Sequence, residues 1–256
     1  MHSPPRRGGE PAAKREPDRA KHQGKPAGGQ FGDFLGKASG VAALLLALVL
    51  KAFYGRAGAT ELLWILAPSA WLARVVGGID LVYEQGAGFI SHTHHLVVGP
   101  ACAGVNFLII CFLCLFFSFA RYCPNKVNWL VYSLLIAFAA TVAANGLRIF
   151  VAAHLWDADF YRNWITQEGM HRLAGIVIYY ASLLALYYTV ESRLGSAPKM
   201  APFVWYVGIT LAVPLAGRIV TQGTPAFAEH ATWVMAVALF LTAVLHLSRE
   251  TQNSHR

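Results

Sequence analysis

Long apolar runs separated by short charged or Pro/Gly-rich segments dominate the chain after residue 37. Runs at about 38–54, 102–120, 127–153, 171–190, 201–221 and 231–248 approach or exceed the length a helix needs to cross a bilayer. No strict alternation extends far enough for the strands of a membrane barrel. The pattern predicts an all-α fold, a polytopic transmembrane helical bundle of about six spans.

Residues 61–79 fit that scheme poorly. They are apolar, but Pro68 and Arg74 interrupt them and Gly77-Gly78 follows. The loops around Arg121–Lys126 and Arg193–Lys199 and both chain ends are basic, which places all of them on the cytoplasmic side. Six spans satisfy that assignment only if 61–79 does not cross. The segment therefore reads as an interfacial or re-entrant helix on the outer face, where Arg74 avoids the mid-bilayer cost. A seventh full crossing is the alternative. Asp80–Pro100, polar and Gly-rich with Glu84, His92, His94 and His95, would complete an outer-face cap.

Three regions follow: a disordered basic cytoplasmic tail over 1–37, the transmembrane domain over 38–249, and a short cytoplasmic tail over 250–256. The first tail carries eight Lys+Arg against four Asp+Glu. No cleavable secretory signal is evident, so the first apolar run reads as a retained span. Composition agrees: of 256 residues, 56% are hydrophobic and 13% charged, about half the charge of an ordinary soluble domain. The net charge of +8 is concentrated in the N-terminal tail and short loops, where it sets orientation and meets lipid headgroups. It does not call for nucleic acid. Four cysteines, Cys102, Cys111, Cys114 and Cys123, imply no disulfide framework, since three fall in or beside spans.

Cys102, Arg148 and His171 share one depth. Along helices rising about 1.5 Å per residue, Cys102 lies roughly 28 Å from Arg121. By the same rise Arg148 lies roughly 33 Å from Lys126, and His171 roughly 33 Å from Arg193. Each then reaches the face opposite the basic loops, across a hydrocarbon core of about 30 Å. Gly99-Pro100-Ala101-Cys102 would place the thiol in a first helical turn, where free N–H groups favour a thiolate. The bland reading of Cys102 is a small packed residue. Asn145 and Arg148, three apart, share a helix face. Arg148 alone could be snorkelling to headgroups. His171 precedes Gly175 by four residues, a spacing that admits a close neighbour. His154 is a competing imidazole on the same side. Cys111-x-x-Cys114 lies mid-span among Phe and Leu and reads as packing. His92-Thr93-His94-His95 lacks matching carboxylates, and no H-E-x-x-H motif occurs. No metal or other cofactor is expected.

Pro100-Ala101-Cys102-Ala103-Gly104-Val105-Asn106-Phe107-Leu108, then Asn145-x-x-Arg148, then His171-x-x-x-Gly175, resembles the exosortase/archaeosortase family, and most of all the exosortase K branch. The resemblance covers roughly residues 60–190. It implies a cysteine protease/transpeptidase of the bacterial inner membrane with both termini cytoplasmic. Its protein substrate would carry a C-terminal sorting signal of the PEP-CTERM type: a short motif, a transmembrane helix and a basic tail. Cleavage would occur on the outer, periplasmic face. By matching positions, Cys102 is the nucleophile, Arg148 a catalytic or orienting cation, and His171 the general acid/base. Asn106 and Asn145 are candidate supporting partners, with an interhelical hydrogen bond as the plainer role. Glu84 is a candidate for substrate contact. Two other classes compete, a small transporter and a non-catalytic assembly subunit. A transporter would need polar groups through the membrane depth, yet the middles of the runs are Phe, Leu, Ile, Val and Ala.

Overall fold

The computed structural model describes residues 28–156, 167–221 and 225–254. Seven helices account for most of these residues: α1 (Gly28–Tyr54), α2 (Leu63–Gly77), α3 (Val105–Phe119), α4 (Lys126–Trp156), α5 (Gln167–Leu194), α6 (Ala201–Thr221) and α7 (Pro225–Ser254). Among the described residues, five segments are long and apolar enough to cross a membrane: 37–54, 100–122, 126–154, 169–194 and 227–248. α6 is 21 residues long, about 31 Å at a helical rise. The molecule is a helical membrane protein.

α3 is the axis of the bundle. Its sequence, Val105-Asn106-Phe107-Leu108-Ile109-Ile110-Cys111-Phe112-Leu113-Cys114-Leu115, has no polar stripe, and nearly every side chain is buried. A helix apolar all round is stable when neighbours surround it, and α1, α4, α5 and α6 do so. Cys111 and Cys114 are fully buried free thiols within this packing. Outer surfaces of the surrounding helices expose large apolar residues such as Leu48, Leu135 and Phe240, as a lipid-facing surface requires.

The ends of the bundle are chemically distinct. At one end, Arg121 Nη2 donates to the Ser196 carbonyl at 2.9 Å, and Tyr122 OH donates to the same oxygen, tying the α3–α4 turn to the α5–α6 turn. Lys126, Arg193 and Lys199 lie in these same turns or at the adjoining helix ends. At the other end, Tyr54 of α1 donates to the Pro100 carbonyl at 3.2 Å, and Lys51 donates to Asn106 of α3 at 2.7 Å. The end of α1 and the start of α3 are thus neighbours, so the 55–99 segment leaves and re-enters the bundle at one end.

Within that segment α2 is 15 residues long, about 22 Å, short of a hydrocarbon core of about 30 Å. It runs beside α4 from Phe138 onward, in the same direction. Trp64 stacks on Phe138 with centroids 5.9 Å apart, and Leu72 lies against Gly146, where an added Cβ would come within 2.8 Å of its Cδ2. Ser69 Oγ donates to the Ile65 carbonyl inside the helix that contains Pro68.

Three features differ from the sequence expectation. α1 begins at Gly28 rather than Ala38, and the part of the expected tail before residue 28 lies outside the described residues. α7 continues to Ser254, through residues expected to form a tail. The 80–100 stretch is an antiparallel sheet, β1 (Val82–Glu84), β2 (Gly88–Ser91) and β3 (Leu96–Val98), paired in that order. Register pairs Tyr83 with Phe89 and Ile90 with Val97. Such strands are too short for an alternating pattern to stand out among polar turn residues.

Candidate functional site

Gly99-Pro100-Ala101-Cys102 folds as a single 3₁₀ turn ahead of α3. Cys102 N–H donates to the Gly99 carbonyl at 2.9 Å, and Ala103 N–H to that of Pro100 at 3.0 Å. α3 starts only at Val105, after Gly104 turns the chain at φ 72°. The expected place of Cys102, in the first turn of the long helix, is therefore corrected: two residues separate it from that helix. Proline fixes the turn's entry and glycine its exit, and each suits its position sterically. Gly104 is also crowded, since a Cβ there would lie 3.1 Å from Thr141 Cγ2 and 3.3 Å from the Tyr179 hydroxyl.

Two side chains hold the turn by its carbonyls. Tyr54 of α1 bonds that of Pro100, and Asn145 Nδ2 of α4 donates to that of Cys102 at 2.6 Å. Asn145 is completely buried, and its Oδ1 accepts from the Tyr179 hydroxyl of α5 at 3.0 Å. Arg148 Nη1 donates to the same hydroxyl at 3.2 Å, and Arg148 Nη2 meets His171 Nε2 at 3.2 Å. A guanidinium has no acceptor, so Nε2 accepts, and His171 is held neutral with its proton on Nδ1. An unbroken hydrogen-bond chain thus runs from the Cys102 backbone through Asn145, Tyr179 and Arg148 to His171. Cys102 is half-buried and lies within electrostatic range of Arg148, Tyr179 and Tyr54.

The Arg148 side chain passes across Gly175. A Cβ at that position would approach Nε to 3.0 Å, so the glycine of His171-x-x-x-Gly175 makes room for the guanidinium rather than for a helix backbone. Nε itself is buried without a hydrogen-bond partner among the described residues. Arg148 also lies over the Tyr179 ring, 5.4 Å from its centroid, and Tyr179 stacks on Phe107 of α3 at 4.6 Å. Arg148 is half-buried and holds Tyr179 and His171 of α5.

A cavity of about 220 Å³ opens beside the network, lined among others by Tyr54, Gly104, Asn106, Arg148, Arg172 and Tyr179. Asn106 lies on this wall and accepts from Lys51. Glu84 stands apart. It is an exposed strand residue whose Oε1 lies 3.4 Å from His92 Nε2, and it does not line the cavity among the described residues. His154, the competing imidazole, donates from Nδ1 to the Phe150 carbonyl of its own helix at 2.9 Å. Beneath the sheet Asp80 accepts from Ser91 Oγ at 2.6 Å and Thr93 Oγ1 at 2.7 Å. These bonds hold its carboxyl well below the usual carboxylate range. No group of three or more His, Cys, Asp or Glu suited to a metal occurs among the described residues.

Tyr179, within the network, and Tyr54, on the Pro100 carbonyl, escaped the sequence reading. A signal for Tyr179 existed: His171, Gly175 and Tyr179 recur every four residues, on one face of α5. No family model, curated protein or solved structure matches the chain.

Proposed function

We propose that the chain is a membrane-embedded cysteine protease/transpeptidase of the exosortase type, acting on proteins with C-terminal sorting signals. The observation that carries this reading is the hydrogen-bond chain joining the Cys102 backbone carbonyl to Arg148 and His171. Three residue types with complementary chemistry come from three separate elements and share one polar network in an apolar bundle. Elsewhere along α3 the packing is apolar, which favours a site at one end over a transport path.

In this reading the Cys102 thiolate attacks the scissile carbonyl, forming an S–C bond, while His171 delivers a proton to the departing amine as the C–N bond breaks. His171 starts neutral with Nε2 bonded to Arg148, so that bond opens for Nε2 to take the thiol proton, which it then delivers to the amine. The acceptor's O–H or N–H then attacks the thioester, His171 takes that proton, and the thiolate is released. Arg148 neutralises the thiolate or the oxyanion, acting more strongly in a site that excludes water. Asn145 and Tyr179 position Arg148 and the Cys102 turn without touching the reacting atoms.

The basic turns face the cytoplasm in this proposal, so the site opens to the periplasm of a bacterial inner membrane. The test is processing of a reporter ending in a sorting signal, in membranes carrying the wild-type chain or Cys102→Ser. Abolished cleavage at matched protein levels is the expected result. Normal cleavage by Cys102→Ser would overturn the proposal.

A further inference from the structure

A second, larger cavity of about 410 Å³ lies between α1, α3 and α6. Leu44, Leu48, Ile109 and Leu113 line its length, and Lys51 and Asn106 stand at its head. Leu44 and Leu48 are 46% and 65% exposed, so the groove opens sideways from the bundle onto the lipid-facing surface. From Lys51 to Leu44 it runs two turns, about 10 Å along the helix. The aliphatic walls along that length suit one acyl chain.

Lys51 determines the head of that chain. It lies in the last turn of α1, at the end of that helix's apolar run. Its ammonium donates to Asn106 and lies 5.5 Å from the centroid of the Tyr54 ring, which leaves N–H donors for an anionic partner. Among the described residues no carboxylate lines this groove or the neighbouring cavity. A lysine so placed calls for an anion. We propose that the groove binds one acyl chain of an anionic phospholipid, with Lys51 on the headgroup phosphate. Asn106, Ile110, Thr210 and His230 line both cavities, so the lipid lies beside the Cys102 site and closes it against the bilayer. This proposal is independent of the enzymatic reading.

The test is native mass spectrometry of the purified full chain with equal phosphatidylglycerol and phosphatidylcholine added. Wild type is expected to retain phosphatidylglycerol in preference, on the order of fivefold, as one lysine near an anionic headgroup supplies. Lys51→Gln should bring the ratio to near one, Lys51→Arg should keep it, and Lys199→Gln, at the opposite end, should leave it unchanged. Ala47→Phe, which fills the groove wall, should reduce retention of both lipids. An unchanged ratio in Lys51→Gln overturns the proposal, and the Lys51→Arg chain keeps this comparison valid if Ala47→Phe fails to fold. Displacement of the lipid by an added apolar transmembrane peptide would also overturn it, assigning the groove to a protein segment.

Discussion

Tyr179 joins two groups that its loss would strand. Tyr179→Phe removes the hydroxyl shared by Asn145 Oδ1 and Arg148 Nη1 but keeps the ring on Phe107. Leaving buried polar groups unpaired costs about 1–3 kcal/mol. The variant should accumulate with a lowered melting temperature and process substrate poorly, checked by thermal unfolding in detergent alongside the reporter assay. Arg148→Lys tests geometry rather than charge, because lysine lacks the planar fork that reaches Tyr179 and His171 together. At least a tenfold loss of processing is expected, equivalent to about 1.4 kcal/mol of transition-state stabilisation. Near-wild-type processing would mean that Arg148 serves only as a structural cation. Alkylation separates the cysteines. Cys111 and Cys114 are inaccessible, and burial pushes the Cys123 thiol up, so brief neutral-pH iodoacetamide should label Cys102 first, read by peptide mass spectrometry.

The 80–100 cap is an element whose stability rests on a few polar bonds. Asp80 ties β2 and the following turn through Ser91 and Thr93, and its carboxyl is held below the ordinary range. A depressed carboxylate adds stability above its unfolded pKa of about 3.9 and loses it only as pH falls toward the lower folded value. The cap should therefore resist protease at neutral and mildly acidic pH and open below that window. Asp80→Asn should open it even at pH 7, measured by limited proteolysis across pH. This sheet was not legible in the sequence, because its three strands are short and their partners lie across turns rather than in a local repeat. α2 was legible as a helix apart from the long spans: Pro68, Arg74 and the parity of the basic loops all argued against a crossing. Its pairing along α4 was not, since that depends on Leu72 lying against Gly146. The long helices were readable because lipid and a packed core impose the same apolar demand along their whole length. Cys102, Arg148 and His171 stood out as chemistry in apolar runs. Tyr179, which links Asn145 to Arg148, did not, since a membrane tyrosine ordinarily reads as packing or an interface anchor.

At the scale of the molecule, a polar network occupies one end of an apolar bundle and basic turns occupy the other. The proposed topology puts the network outside, so a reporter fused at Glu84 should report periplasmic exposure, and cytoplasmic exposure would invert the orientation. The central claim is that Cys102 forms a covalent acyl intermediate within this network. The most direct measurement is intact-protein and peptide mass spectrometry after mixing the full chain with a sorting-signal substrate while the acyl acceptor is withheld. The account predicts a thioester on Cys102 whose added mass equals the substrate fragment upstream of the cleaved bond. It should be absent in Cys102→Ala and strongly reduced in Arg148→Lys. Cleaved substrate with no adduct on Cys102, or an adduct on Cys123 instead, would contradict it.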